Sequence, residues 1–389
     1  MSTSRTADHL NFAYWVPNVS GGLVTSTVDQ RTDWGIDYNR TLAQHAEQVG
    51  FEYALTQVRY LGSYSAEYQH ESVSFSLALL EATEKLNVIA AVHPGLWQPG
   101  VLANLGSTAS ELYDGRLAFN IVSGWLRDEF HALGEPWLDH DERYRRSAEF
   151  LQVLRNIWTT SPTEFAGDFY RIRNYTLKPQ PKKVPQLFQG GSSTAARFNG
   201  GNYADWYFTN GGSIEDLEEQ IAEVRQHADA AGREVKIGVN AFVILDDSQE
   251  KAEERLREIV INADTKAVKS FKKAVHHAGA VTNDQKGMWT NSSLEDLVQY
   301  NDGFKTGLIG TRDHINAQIE KLRSIGVDLV LCGFLHVDEE VQEFGEKIIT
   351  PLREQEANGT AADGSAQGAA AEGANADASA ESTPTLSHV

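Results

Sequence analysis

Eight short apolar segments recur along the chain, and most neighbouring pairs are separated by a stretch with helical spacing. Some, such as residues 87–92, are apolar almost without interruption, which is typical of buried parallel strands. This alternation predicts a parallel α/β fold, a (β/α)₈ TIM barrel with insertions. The alternative is an open doubly wound sheet, but no Gly-x-Gly-x-x-Gly follows an early strand. The predicted strands are 11–16, 53–58, 87–92, 117–122, a run around Gln186, 205–209, 235–245 and 328–332.

The remaining segments divide the chain into one barrel domain and its additions. We predict a flexible amino terminus over 1–9, a barrel domain over 10–354 and a disordered tail over 355–389. The tail is rich in Ala, Gly and Ser and has almost no large apolar residue to bury. Residues 261–310 are a predicted insertion, and 282–307 a predicted lid, because glycines alternate there with polar residues. Helices are predicted over 38–49, 73–82, 102–112, 144–158, 214–230, 314–325 and 337–353, and a hairpin over 163–177.

Charge and cysteine content limit the classes of partner. A formal charge of −20 over 389 residues opposes binding to nucleic acid or to an anionic membrane surface. No apolar run is long enough to span a bilayer, and the first residues lack a signal-peptide core. A single cysteine, Cys332, excludes an internal disulfide and a cysteine-cluster metal site. We therefore expect a cytoplasmic enzyme that acts on a small molecule without a metal.

A glycine-serine turn follows the predicted strand around Gln186. Gly190, Gly191, Ser192 and Ser193 lead into a helix that opens on small residues. Glycine backbone can approach an anion closely, and the helix N-terminus adds its positive dipole end. The turn predicts a phosphate site near a late barrel strand, where such barrels often bind phosphate. The alternative is an ordinary strand-to-helix turn capped by serine.

Other polar and aromatic residues come near predicted strand ends. Asn120 interrupts an apolar strand, so its amide needs a partner, either a planar heterocycle or a neighbouring strand carbonyl. Arg143 and Tyr144 open the next helix, where clustered arginines indicate an anion unless nearby acids neutralise them. His70 and Trp125 are weak catalytic candidates. A lone histidine such as His70 is more often structural than catalytic. Tryptophans near strand ends favour an apolar cavity for a flat ligand: Trp15, Trp97, Trp125, Trp137 and Trp206.

No sequence motif supplies a nucleophile or a metal. A Ser-His-Asp elbow, a His-Glu-x-x-His helix and a paired-acid motif are all missing from the sequence. The adjacent pair His276-His277 would point in different directions on a helix. A barrel with a phosphate site and no reactive side chain of its own predicts a cofactor that carries the chemistry.

Ordered blocks of the sequence resemble the bacterial luciferase-like flavin monooxygenases. The resemblance covers residues 10–353 and is closest to the group of FMNH2-dependent dimethylsulfone monooxygenases. The blocks that carry it are 12–18, 51–57, 69–75, 120–125, 140–146, 188–193, 205–211 and 298–306.

The resemblance implies a two-component enzyme that takes reduced FMN from a separate NAD(P)H-dependent FMN reductase. It also implies O2 as co-substrate and, for dimethyl sulfone, methanesulfinate and formaldehyde as the products of C–S cleavage. We also expect a homo-oligomer, a dimer or a tetramer. The cofactor-binding residues predicted from the turn and the resemblance together are Val58, Arg59, Asn120, Glu129, Arg143, Tyr144, Gly191, Ser192 and Ser193.

One departure within the family favours a neutral substrate. Related alkanesulfonate monooxygenases carry an Arg-x-His pair in the seventh strand, where this chain has Asn240 and Phe242. Loss of the cation removes charge-assisted binding of a sulfonate. We predict that Trp15, Asn240 and Phe242 line the substrate pocket. Because Arg59 and Lys305 remain near the predicted mouth, an alkanesulfonate stays open as substrate. Another luciferase-like oxygenase, a deazaflavin-dependent reductase and a non-catalytic flavin-binding protein are further alternatives.

Overall fold

The computed structural model of the protein describes residues 9–63, 66–275, 289 and 292–357. The strands are β1 (Asn11–Val16), β2 (Tyr53–Thr56), β3 (Asn87–Val92), β4 (Leu117–Ile121), β5 (Thr163–Ala166), β6 (Arg171–Tyr175), β7 (Leu187–Gly190), β8 (Trp206–Thr209), β9 (Lys236–Phe242), β10 (Ile244–Leu245), β11 (Ile309–Gly310) and β12 (Leu329–Gly333). Eight of them close into a parallel barrel in the order β1-β2-β3-β4-β7-β8-β9-β12, which confirms the predicted TIM barrel.

Helices follow most barrel strands and cover the outside of the barrel. Residues at helical spacing bury one face of each, as Leu217, Ile221 and Val224 do, and the hydroxyl of Ser213 caps the same helix by accepting from Asp216 N–H. The helices are α1 (Ile36–Gln48), α2 (Ser72–Glu81), α3 (Pro99–Leu112), α4 (Arg127–Ala132), α5 (His140–Thr159), α6 (Thr194–Tyr203), α7 (Ile214–Ala230), α8 (Gln249–Ile261), α9 (Thr265–Val275), α10 (Arg312–Ser324) and α11 (Val337–Phe344).

The core has an inner layer, an outer layer and a separate satellite cluster. Inside the barrel, Phe188 and Trp206 stack with ring centroids 5.1 Å apart. A larger outer layer lies between strands and helices and includes the buried thiol of Cys332, whose pKa is raised by burial. The satellite cluster joins β9 to the segment between β9 and α10 and contains Phe242 and Phe271. This segment therefore packs onto the barrel through an apolar surface of its own.

Several predicted boundaries differ from the structure. The predicted strand 235–245 is divided into β9 and β10, and β10 leaves the barrel to pair with β11. Helix α5 begins at His140, four residues before the predicted start, because Asp139 caps it by accepting from Glu142 N–H. The last helix continues past α11 through a π-helical turn (Gly345–Ile349) to residue 357, so the first three residues of the predicted tail are helical.

At the amino-terminal end of the barrel strands, the two ends of the described chain meet. Arg353 donates to the carbonyl of Leu10 at 2.6 Å and pairs with Glu52 at 2.6 Å, and His9 lies 3.2 Å from Glu52. Within the described ranges no helix is long and apolar enough to cross a membrane. Residues 1–8, His276-His277, most of 282–291 and the predicted tail beyond 357 lie outside the described residues.

Candidate active site

A cavity opens at the carboxyl ends of the barrel strands, where TIM-barrel sites are found. The cavity comprises about 920 Å³ of space outside the protein atoms, and part of this space is open to solvent. Its lining includes seven of the predicted site residues: Trp15, Val58, Arg59, Asn120, Trp125, Tyr144 and Gly191.

Amide side chains at this end of the barrel hold polar atoms without partners. Asn120, which is 5% exposed, has an Oδ1 with no hydrogen-bond partner among the described residues. The same holds for the buried Nδ2 of Asn210 and the buried Nε2 of Gln57, and all three residues line the cavity. A buried unpaired amide atom costs about 1–3 kcal/mol unless a ligand satisfies it. A planar heterocycle with donors and acceptors on its edge, such as the flavin of FMN, fits the amides of Asn120 and Asn210.

The glycine-serine turn follows β7 directly and forms one wall of the cavity. Gly191 adopts φ +127°, and a Cβ at this position would lie 2.5 Å from Tyr144 Oη and 2.9 Å from Ala196 Cβ. Only glycine leaves this space open beside the Tyr144 hydroxyl. The Ser193 hydroxyl caps α6, accepting from Ala196 N–H at 3.3 Å. Ser192 is half-buried, and its carbonyl accepts from Arg197 Nε at 2.9 Å. A phosphate group fits the turn beside Tyr144, whereas Ser193 serves the helix.

Arg143 lies beside the cavity and does not belong to its lining. Its guanidinium stands 4.1 Å from the centre of the Trp137 ring, and its Nη1 donates to Leu138 O at 2.8 Å. Burial lowers the pKa of Arg143 to about 10. Because α5 begins at His140, Arg143 does not open the helix as predicted, and the expected opposition to the helix dipole is weaker.

A buried His–Glu pair stands behind the cavity wall. Glu129 Oε1 accepts from the N–H groups of Tyr60 and Leu61 at 2.8 and 3.2 Å, so it fixes the loop that carries Val58 and Arg59. His93 Nδ1 lies 2.8 Å from the Val122 carbonyl and donates to it, so Nε2 faces Glu129 Oε2 at 3.9 Å. Burial lowers the pKa of His93 to about 4 and raises the pKa of Glu129. Glu129 thus supports the predicted flavin loop from behind and does not line the cavity.

Of the two catalytic candidates, only Trp125 lines the cavity. Its ring centre is 5.5 Å from the guanidinium carbon of Arg59. His70 packs between Trp34 and Phe75. The centroid of its imidazole ring lies 5.0 Å from the ring centroid of each of these two residues. This environment is that of a structural histidine.

Of the three substrate-pocket candidates, Trp15 lines the cavity, whereas Asn240 and Phe242 lie behind its wall. The Trp15 indole N–H donates to Asn240 Oδ1 at 2.7 Å, and Asn240 Nδ2 donates to the Asn301 carbonyl at 2.9 Å. Asn240 is fully buried and positions Trp15 and Asn301, both of which line the cavity. Phe242 is fully buried and packs on Phe304 in the satellite cluster. Neither Asn240 nor Phe242 is among the lining residues.

Phe271, Trp289 and Tyr300 form an aromatic cover over the cavity. Trp289 and Tyr300 lie within the predicted lid 282–307, whereas the contribution of Phe271 was not predicted from the sequence. The rings of Phe271 and Tyr300 lie 4.4 Å apart, and those of Phe271 and Trp289 lie 5.3 Å apart. The Asn301 carbonyl next to the cover accepts from Gly211 N–H at 2.8 Å, which ties it to the loop after β8. Lys305 pairs with Asp296 and Asp302 at 3.3 and 3.2 Å and does not line the cavity. The amphipathic spacing of α9 was the available signal for Phe271.

Comparisons with known proteins agree with this arrangement. Residues 10–329 match the family model described as luciferase-like monooxygenase. A relative from Pseudomonas fluorescens (strain Pf0-1) is 56% identical over 353 residues, 91% of this chain and 97% of the relative. One from Pseudomonas putida is 55% identical over 355 residues, 91% of this chain and 98% of the relative. Both are named FMNH2-dependent dimethylsulfone monooxygenase. A crystal structure of a riboflavin lyase superposes with a TM-score of 0.77 at 19% identity, covering 89% of this chain and 92% of that one, which is a likeness of fold.

Proposed function

The chain belongs to the luciferase-like monooxygenase family, and from this premise we propose that it oxidises dimethyl sulfone with reduced FMN and O2. The proposed products are methanesulfinate, formaldehyde, water and oxidised FMN, formed by cleavage of one C–S bond. The observation that carries the proposal is the 55–56% identity to dimethylsulfone monooxygenases over most of the chain. The chain is a flavin-dependent monooxygenase, as its family and relatives are.

The cavity residues fit FMN on two sides. We assign the turn at Gly190 and Gly191, with Tyr144 and Ser192, to the phosphate, and the amides of Asn120 and Asn210 to the edge of the ring system. Bound reduced FMN supplies two electrons and activates O2. The chain's own residues hold the cofactor, and the cover of Phe271, Trp289 and Tyr300 excludes water from it.

The walls of the cavity support a neutral substrate. No acidic or basic side chain other than Arg59 is among the residues described as lining it, and Arg59 Nη1 already donates to the Ser63 carbonyl at 3.0 Å. Asn240, predicted to stand where related alkanesulfonate monooxygenases carry an arginine, accepts a hydrogen bond from Trp15 and donates one to Asn301. A sulfone needs no charged partner, whereas a sulfonate gains most from one.

Further parts of the proposal concern the supply of the flavin and the setting of the enzyme. An FMNH2-dependent enzyme needs a supplier of reduced flavin, and we propose an NAD(P)H-dependent FMN reductase. We also propose a homo-oligomer, a cytoplasmic location and a lid over 282–307. The described part of that segment, Trp289 and residues 292–307, contributes three lining residues, which supports the lid.

Product formation tests the function. The protein is supplied with FMN, NADH, a flavin reductase and dimethyl sulfone in air, and formaldehyde and methanesulfinate are measured. We expect both in equal amounts, above a control that contains the reductase alone. No product above that control would overturn the proposal. Sulfite release from methanesulfonate with a higher kcat/KM would assign the sulfonate instead.

A further inference from the structure

A second, smaller cavity adjoins the main one. Its space outside the protein atoms, part of which is open to solvent, is about 370 Å³, less than half that of the main cavity. The two share five lining residues, namely Trp15, Gln57, Arg59, Tyr300 and Asn301. The side cavity lies on the β1–β2 side of the barrel, whereas the glycine-serine turn and Asn210 follow β7 and β8 on the opposite side. A flavin anchored by its phosphate at the turn fills the main cavity towards the loop of Val58 and leaves the side cavity for a small molecule.

Gln57 stands where the two cavities meet, and its backbone is held rigidly. Its N–H donates to Asn18 Oδ1 at 2.8 Å, and its carbonyl accepts from Asn18 Nδ2 at 2.9 Å. Asn18 is fully buried. The side-chain Nε2 of Gln57 is buried and has no acceptor among the described residues. A fixed backbone and an unpaired donor are what a ligand-binding amide requires.

Two neighbouring donors on the shared wall are already engaged. The Trp15 indole N–H donates to Asn240, and Arg59 Nη1 donates to the Ser63 carbonyl. The remaining wall of the side cavity is mostly small or apolar and includes Val19 and Leu23. The cavity therefore offers an N–H donor at Gln57 beside apolar surface, with no carboxylate among its described lining residues.

We propose that the side cavity binds the sulfone and that Gln57 Nε2 donates a hydrogen bond to one sulfone oxygen. A dialkyl sulfone has two acceptor oxygens, no donor and no net charge, and its methyl groups match Val19 and Leu23. The assignment rests on the proposed function, since it names the residue that recognises that substrate. Gln57 is then a specificity-determining residue, while Asn120 and Asn210 serve the flavin.

The test compares Gln57→Leu and Gln57→Glu with the wild-type enzyme. Leu removes the donor at similar size, and we expect a KM for dimethyl sulfone raised about tenfold. Glu turns a donor into an acceptor that repels the sulfone oxygens, so the increase should be larger. The Kd for FMN, from flavin fluorescence, should change less than about twofold. Gln226→Leu, on the exposed face of α7, is the matched control and should change neither constant.

An equilibrium measurement makes the test independent of turnover. Saturation-transfer NMR on the methyl protons of dimethyl sulfone, with oxidised FMN bound, should give a signal with wild-type protein that Gln57→Leu weakens. If the wild-type enzyme turns over dimethyl sulfone and both Gln57 variants keep its KM, the inference is overturned while the proposed function stands. A raised FMN Kd with an unchanged KM would assign Gln57 to the flavin and also overturn it. If the wild-type protein gives no product and no saturation-transfer signal on the methyl protons, both the proposed function and the inference are overturned.

Discussion

The two ends of the barrel use their polar side chains in opposite ways. At the amino-terminal end, Glu52, Asp205 and Asp328 each stand one residue before a strand. Each carboxylate accepts from the backbone of a neighbouring strand, at Phe12, Leu187 and Ile237 respectively, and each distance is 2.8 Å. At the carboxyl end, Gln57, Asn120 and Asn210 carry polar atoms with no described partner. The carboxylates tie neighbouring strands together through satisfied hydrogen bonds, whereas the unsatisfied amides are the atoms that we propose bind ligands.

Gly191→Val should produce the largest effect on the carboxyl end. The new Cβ would meet Tyr144 Oη at 2.5 Å in a backbone conformation that Val disfavours. We expect FMN binding to weaken by at least about 100-fold, roughly 3 kcal/mol. Flavin fluorescence quenching gives the Kd, and thermal unfolding shows whether the barrel survives. Normal FMN affinity would remove the turn from the binding site.

The His–Glu pair behind the carboxyl-end wall should make stability depend on pH. His93 has a folded pKa of about 4, below its usual 6.5, so the folded state resists its protonation. The contribution of His93 to the free energy of unfolding is complete above pH 6.5. It is lost as the pH falls towards 4, by up to about 3 kcal/mol. The raised pKa of Glu129 acts in the opposite sense, since it favours the folded state at low pH.

His93→Gln isolates the histidine contribution. Urea unfolding at intervals from pH 8 to 4 should show that the variant loses less stability than wild type below pH 6.5. Above pH 7 the difference between the two proteins should be constant. Parallel curves over the whole range would contradict a neutral buried imidazole.

Ser192→Ala tests the phosphate assignment. Loss of a hydroxyl donor to a charged oxygen should weaken FMN binding roughly 10- to 150-fold. Riboflavin, which lacks the phosphate, is the comparison ligand and should bind both proteins equally. An equal loss for FMN and riboflavin would reduce the turn to a helix cap.

Asp205→Ala tests the amino-terminal end. The substitution leaves Leu187 N–H and Arg155 without the carboxylate they share. We expect about 2 kcal/mol less stability towards urea, with an unchanged FMN Kd in the folded protein. A large change in FMN affinity would show that the two ends are coupled and would weaken the comparison.

Asn120→Leu should have the smallest effect on stability and sharpens the contrast most. It removes a buried oxygen that has no described partner, so the unfolding free energy of the flavin-free protein should change by less than about 1 kcal/mol. FMN binding should still weaken about tenfold because the ring loses an amide partner. Destabilisation as large as in Asp205→Ala would mean that Asn120 is structural.

The barrel could be predicted from the sequence because buried parallel strands have a strong local signal. Residues 87–92 and 214–230 form the predicted strand and helix with the predicted bounds. The division of 235–245 into β9 and β10 depends on pairing with β11, some 60 residues later, which no local pattern contains. In the site, Asn120 and Gly191 could be predicted from the sequence, because an amide interrupts an apolar strand at Asn120 and Gly191 lies in a glycine-serine turn before a helix. Gln57 looks like any polar residue after a strand, and only three-dimensional packing shows that its amide is unpaired.

The buried thiol of Cys332 has a practical consequence. It is the chain's only cysteine, is fully enclosed on β12, and has a pKa raised by burial, so thiol reagents should not reach it in the folded protein. A single reporter can therefore be attached wherever a new cysteine is placed on the surface. Lys269→Cys, on the exposed side of α9 opposite Phe271, would put a fluorophore on the back of the aromatic cover. Its emission would follow the cover as flavin and sulfone bind, without competing label elsewhere on the molecule.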